Sequence, residues 1–299
     1  MRAIVTGGCG FIGSHVVREL LRDGYTVLVF DDLSSGKREN IPPEATFVHG
    51  DIRNFEEIAS VVNEGDIIFH LAALTSVPAS LETPGLYHET NIVGTIHVFE
   101  AARQKKALGV IYSSSAAVYG NQEGTMNESL PVHPESPYAF QKAFGEELGM
   151  HYHALYNIPF VALRYFNVYG EGNKEEGTYA PVTARFLKAK REGKPLPIVG
   201  TGEQTRDFIH VKDVAHANVL AVELVLAGRA EIINVCSGVS TRIIDIAHTI
   251  GGEKEHHPPR QEIFHSIGDT TKARDVLHFS PSIQFEDGLR HILLSQENS

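Results

Sequence analysis

The chain has 299 residues, 42% of them hydrophobic, 21% charged and 8% aromatic, which excludes a disordered chain and fits one large core with a smaller one beside it. Acidic residues number 37 against 26 basic ones, so the formal net charge of −11 argues against wholesale binding to nucleic acid or anionic membrane. No apolar run nears the roughly 18 residues of a membrane span, a strand pattern at residues 2–6 leaves no room for a signal peptide, and Cys9 with Cys236 cannot make a disulfide framework; a soluble cytoplasmic protein is expected.

Short β-branched runs then alternate with longer helical patterns, the pattern of a parallel sheet covered by helices. In chain order it predicts strand 3–6, helix 13–23, strands 26–31 and 46–49, helix 55–62, strand 67–71, helix 86–103, strand 109–113, helix 138–156 and strand 160–165. Right-handed crossovers make this an α/β fold, a Rossmann-type doubly wound parallel sheet with its site at the carboxyl ends of the strands. Beyond residue 168 the rhythm loosens. A polar glycine-rich loop at 170–177 and prolines at 181, 195, 197, 258, 259 and 281 fit a smaller α+β cap. A strand–helix unit at 206–211 and 214–227 and an apolar run at 232–235 are regular again and are expected to return to the main sheet. The expected division is 1–168, with part of 206–236 added, and 169–299.

The first strand runs directly into Thr6-Gly7-Gly8-Cys9-Gly10-Phe11-Ile12-Gly13 and then a helix. Glycine is needed for the tight turn, for the approach of backbone N–H groups to a pyrophosphate, and for packing helix on strand. The diphosphate then sits on the positive end of the helix dipole. Asp31 closes the second strand, 24 residues after Gly7, where a carboxylate accepts both ribose hydroxyls and repels a 2′-phosphate, so NAD is favoured over NADP. Asp51 and Ile52, after the third strand, offer a carboxylate and an apolar wall for an adenine.

After the fifth strand comes Ser113-Ser114-Ser115-Ala116-Ala117-Val118-Tyr119-Gly120, and 23 residues past Ser115 comes Tyr138, with Lys142 four residues on. Tyrosine and lysine at i and i+4 share a helix face. An ammonium beside a phenol favours phenolate, which can take a proton from a sugar hydroxyl while hydride leaves the same carbon. A serine across the site can hydrogen-bond that hydroxyl. Only one of the ten tyrosines has lysine at this spacing. The histidine pairs His151/His153 and His256/His257 lack a third ligand at zinc spacing, so no metal is expected.

The loop 6–13, His70-Leu71-Ala72-Ala73, Asn91, the run 113–120, Tyr138 with Lys142, Arg164-Tyr165-Phe166-Asn167 and the stretch 206–215 together resemble the extended short-chain dehydrogenases/reductases. More narrowly, the chain resembles the UDP-glucose 4-epimerases, from residue 2 to about 290. The resemblance implies a Rossmann domain that retains NAD, a cap that grips a UDP-sugar, and a homodimer built on a four-helix contact, for which Phe140, Phe144, Leu148 and Leu155 are surplus apolar residues. It implies cofactor contacts at Asp32, Leu71, Ala72, Ala73, Thr75, Asn91, Ser113, Tyr165 and Val168, besides Gly7, Gly10, Phe11, Ile12, Gly13, Tyr138 and Lys142. Where some bacterial relatives place a lysine, this chain has Thr75. For the substrate, it implies Arg206 and Arg260 on the diphosphate, Asn167 on a phosphate oxygen and Asp269 near the ribose. Ser76, Val77, Ser114 and Tyr179 would line the sugar, and their pocket would choose among glucose/galactose, N-acetylated and uronic forms.

Related 4,6-dehydratases carry an Asp-Glu pair, and UDP-glucuronate decarboxylases a Glu, where this chain has Ala116 and Ala117. A methyl group does no acid–base chemistry, so 4-epimerisation through a 4-keto sugar is the expected reaction. Dehydratase or reductase chemistry ranks next. A non-catalytic NAD sensor comes last, since Tyr138, Lys142 and Ser115 are all present.

Overall fold

The computed structural model describes residues 1–122, 124–173, 180–259 and 265–297, with residues 295–297 by their backbone alone. The first part runs β1 (Arg2–Thr6), α1 (Phe11–Arg22), β2 (Thr26–Asp31), β3 (Thr46–His49), α2 (Phe55–Val61), β4 (Ile67–His70), α3 (Val77–Glu82), α4 (Pro84–His88), α5 (Gly94–Lys105), β5 (Gly109–Ser115), β6 (Thr125–Met126), α6 (Pro137–Tyr156) and β7 (Phe160–Tyr165). It continues with β8 (Asn167–Tyr169), α7 (Val182–Arg191), β9 (Leu196–Val199), β10 (Thr205–His210), α8 (Val211–Leu226) and β11 (Ala230–Val235). The last elements are β12 (Ser240–Arg242), α9 (Ile243–Ile250), β13 (Lys254–His257), β14 (Ile267–Gly268), α10 (Thr271–Leu277) and α11 (Phe285–Glu297).

Seven strands form one parallel sheet in the order β11-β7-β5-β4-β1-β2-β3. Every residue of β4 and β7 is buried, as expected where helices cover both faces. One face packs Val5, Phe69 and Ile111 against Val16 and Leu20 of α1 and Val214 and Ala221 of α8. The other packs Ile4, Ile68 and Tyr112 against Ile58 of α2 and Val98 and Phe99 of α5. Cys9 and Cys236 are free and buried. The order in which strands are laid down reverses between β1 and β4, and the carboxyl ends of β1, β2, β4, β5 and β7 open on one edge.

The second half departs from expectation at one strand. β11 joins the main sheet beside β7, and α8 packs on that sheet's face. The strand expected at 206–211 is β10, which pairs instead with β8 and antiparallel with β12. Its core gathers Tyr169, Phe186, Phe208, Ile246 and Phe285, with β9 and β13 as a separate pair. The helix expected over 86–103 is three pieces: α4, a π-helical turn at Glu89–Val93, and α5. Two buried carboxylates fasten this half. Asp207 accepts from Ser237 N and Oγ, Gly238 N and Gly268 N at 2.7–3.1 Å. Asp213 accepts from Ser282 N and Oγ and Ile283 N. Among the described residues no helix is long and apolar enough to cross a membrane.

Candidate active site

The glycine loop joins β1 to α1 on the open edge. Gly7 has φ +71°, and a Cβ there would lie 2.6 Å from Ala72 N, so strand, loop and the segment after β4 approach as closely as backbones allow. A Cβ at Gly13 would meet the Gly7 carbonyl. Gly10 caps α1 without a side-chain hydrogen bond, and the first turn holds no acidic residue. The dipole and N–H groups there are left for an anion. Phe11 and Ile12 begin that turn.

Asp31 lies at the end of β2 beside this loop. Its Oδ2 accepts from Cys9 N at 2.9 Å and its Oδ1 from Leu33 N at 2.8 Å. Burial raises its pKa, and those two N–H groups oppose the rise. Asp32 turns the other way and accepts from Ser34 N and Oγ. Asp51 is engaged by Arg53, at 2.7 Å from its Nε. Burial raises the Asp51 pKa, but the Arg53 bonds and charge outweigh it and hold the carboxyl low. Ile52 is buried beneath Gly94. The segment Leu71, Ala72, Ala73 and Thr75 follows β4. Leu71 N donates to Thr6 O and Ala72 N to Thr6 Oγ1, and Thr75 is exposed.

Ser115, Tyr138 and Lys142 come together where α6 crosses the end of β5. Ser136 caps α6 by accepting from Ala139 N, with Pro137 in the first turn. Lys142 Nζ donates to the Ser113 carbonyl at 2.7 Å and lies 5.9 Å from the Tyr138 ring centre. Burial pulls its pKa down to about 7, opposed by Glu146. Burial pushes the Tyr138 phenol up to about 12, opposed by a hydrogen bond with Ser115. Ala116 and Ala117 follow in a partly accessible 3₁₀ turn, where the Ser115 hydroxyl accepts from Ala117 N. The Tyr165 hydroxyl meets Asn218 of α8.

Two expected ligand contacts turn inward. Ser114 is 2% exposed and donates to Glu146 Oε1, because strand alternation places it under α6 instead of on the opening. Asn91 is also 2% exposed and spends its amide on Leu74 N, Leu74 O and Gln141 Oε1. It clamps the segment after β4 rather than facing a ligand. Ser76 caps α3 by accepting from Ala79 N, with Val77 beginning that helix. Asn167 donates to Asp207 O at 2.9 Å, Val168 packs on the α8 side of the sheet, and Arg206 Nη1 donates to Thr205 O. The Thr271 hydroxyl and then the Thr271 N–H, which donates at 2.8 Å, hold the Asp269 carboxyl low. Tyr179 and Arg260 lie outside the described residues.

Sequence reasoning passed over Ser80, which is fully buried, accepts from Tyr138 N at 3.2 Å and donates to Val77 O. It seats the start of α6 on α3. Its partner is 58 residues away, so no local pattern marks it. Glu146, one turn past Lys142, carried a visible signal in its i, i+4 spacing.

The pattern of the "NAD dependent epimerase/dehydratase family" matches residues 3–236. A UDP-glucose 4-epimerase of Mycolicibacterium smegmatis is 37% identical over 304 residues, covering 97% of this chain and 96% of that protein. The crystal structure of a Thermotoga maritima UDP-glucose 4-epimerase with UDP-glucose superposes with a TM-score of 0.93 at 33% identity, covering 100% of both chains. A UDP-N-acetylglucosamine 4-epimerase from Methanobrevibacter ruminantium, in complex with UDP-N-acetylmuramic acid, gives 0.93 at 37% identity, over 99% of this chain and 98% of that one.

Proposed function

The chain belongs to the NAD dependent epimerase/dehydratase family, and from that premise we propose that it is a UDP-sugar 4-epimerase acting on UDP-glucose and UDP-galactose. One observation carries the reading. Ser115 hydrogen-bonds Tyr138, whose ring centre lies 5.9 Å from Lys142 Nζ, itself held on the Ser113 carbonyl, while the two positions after Ser115 are alanines, whose methyl groups do no acid–base chemistry. Elimination of water needs an acid and a base there; turning over a ketone at carbon 4 does not.

The residues that fit NAD are the uncapped first turn of α1, the Gly7 cradle that a Cβ would fill and the Asp31 carboxylate at the loop. In this reading Gly10, Phe11, Ile12 and Gly13 border the diphosphate, Asp31 the adenosine ribose, and Leu71 to Thr75 with Tyr165 and Val168 the remaining wall. NAD held there would supply a positive ring that favours phenolate at Tyr138 and an acceptor and donor of hydride for sugar carbon 4. Tyr138 Oη accepts the proton of the 4-hydroxyl and gives it back after the 4-keto sugar has presented its other face. Ser115 orients that hydroxyl, and Lys142, anchored on the Ser113 carbonyl, lends its charge to the phenol.

The half built on β8–β10–β12 and α7, α9 and α11 would hold the UDP moiety, with Arg206, Asn167 and Asp269 on its near side. UDP-N-acetylhexosamine is the second reading, favoured by the Methanobrevibacter relative. We also place the protein in the cytoplasm as a homodimer. α3, α4 and α5 pack on α6, and this layer leaves Leu81, Leu86, Phe140 and Leu155 exposed.

Tyr138→Phe tests the mechanism. It should keep NAD bound while turnover of UDP-galactose falls by at least ~10³-fold, the scale of lost acid–base catalysis; an unchanged rate would sink the mechanism. Release of a 4-keto-6-deoxy product would instead mark a dehydratase.

A further inference from the structure

His70, at the end of β4, is 1% exposed, and both ring nitrogens are engaged. Nδ1 lies 2.8 Å from Thr6 Oγ1, and Nε2 lies 3.0 Å from Thr95 Oγ1. The direction of each bond follows from counting hydrogens. Thr95 has one hydroxyl hydrogen, which it donates to the Asn91 carbonyl at 2.7 Å, so toward the ring it can only accept. His70 therefore carries its proton on Nε2. Nδ1 is left as an acceptor, and Thr6 donates to it. Thr6 Oγ1 in turn accepts from Ala72 N at 3.3 Å.

At the far end, Asn91 Oδ1 accepts from Leu74 N and its Nδ2 donates to Leu74 O, both at 2.9 Å. The chain of bonds thus starts on Ala72 and ends on Leu74, closing a ring around residues 72–74 in which every hydroxyl and ring proton has one place to point. Thr6, His70, Thr95 and Asn91 are each no more than 2% exposed, so water does not replace a lost link. The groups facing the imidazole are Tyr112 of β5, ring centre 5.7 Å away, and Lys142 of α6, whose charge opposes a second cation there.

We infer that His70, held as the neutral Nε2–H tautomer between Thr6 and Thr95, is a positioning residue that fixes the 72–74 backbone against Gly7 and thereby shapes the NAD cradle. The inference rests on reading residues 71–75 as a wall of that cradle. A slack 72–74 segment would widen the one place where Gly7 and Ala72 leave no room for a Cβ.

Thr95→Val removes the acceptor at nearly constant volume, and Thr95→Ser restores it. In the holoenzyme labelled with ¹⁵N-histidine, the His70 signals should be those of the Nε2–H form and should stay fixed between about pH 8 and pH 5, where an ordinary histidine titrates. The NAD dissociation rate should rise about tenfold in Thr95→Val, the scale of one lost buried hydrogen bond, and return in Thr95→Ser. An Nδ1–H tautomer, a ring that titrates in that window, or parental NAD retention in Thr95→Val each overturns the inference. If the Ala72 and Leu74 amide signals ignore NAD altogether, the cradle reading itself fails, and the inference falls with it.

Discussion

Glu146 is the residue on which the catalytic helix turns out to be anchored. Its Oε1 accepts from Ser114 Oγ and from Arg164 Nε at 2.8 Å, and its Oε2 from Arg164 Nη2 at 2.7 Å. The guanidinium lies over the Tyr119 ring at 4.7 Å, and its Nη1 has no hydrogen-bond partner among the described residues. Three successive serines of β5 thus hold three positions of α6 one turn apart: Ser113 on Lys142, Ser114 on Glu146 and Ser115 on Tyr138. Glu146→Gln leaves a buried cation without its counter-charge and should cost ~3–5 kcal/mol, read from the denaturant midpoint. Replacing Arg164 with Met in the same chain should recover most of that loss. A single-variant cost below about 1 kcal/mol would show that the pair is solvated rather than buried. The Tyr138–Lys142 spacing was legible in the sequence because both residues sit on one helix. The Glu146–Arg164 pair was not, because its members come from a helix and a strand and meet only when β5 and β7 align.

At the scale of elements, the glycine loop has the least tolerance. A methyl at Gly13 would run into the Gly7 carbonyl, forcing the first turn of α1 away from β1. Gly13→Ala should therefore yield a folded protein that purifies with little or no NAD, measured as nicotinamide released on denaturation. It should also lose ~1–3 kcal/mol, typical of overpacking; full NAD occupancy would contradict this geometry. The loop and the long strands were readable because strands buried on both faces appear as continuous apolar runs. The second half was not. β8, β12 and β14 have two or three residues each, too few to show a period of two. The π-helical turn at Glu89–Val93 was hidden for another reason: five residues are a single turn, too few to show that the period has changed.

For the whole molecule, a net charge of −11 says little about a site as small as the one proposed for diphosphates at the start of α1 and beside Arg206. The apolar residues on the α3–α6 layer bear on assembly instead. Leu155, 67% exposed, is far from the glycine loop in the chain and takes no part in the catalytic cluster. Leu155→Glu should shift the protein from dimer to monomer in light scattering while the monomer stays folded. A parent protein that is already monomeric at micromolar concentration would remove the homodimer from the proposal. The sheet order has one more consequence, for a chain that is still being made. β7 is complete at residue 165, but its outer neighbour β11 ends only at residue 235. Until those later residues have left the ribosome, β7 is an open edge strand with buried-type residues on both faces, a surface that pairs readily with other chains. A product cut after β8 should therefore aggregate, whereas one that ends beyond β11 has β7 paired on both sides.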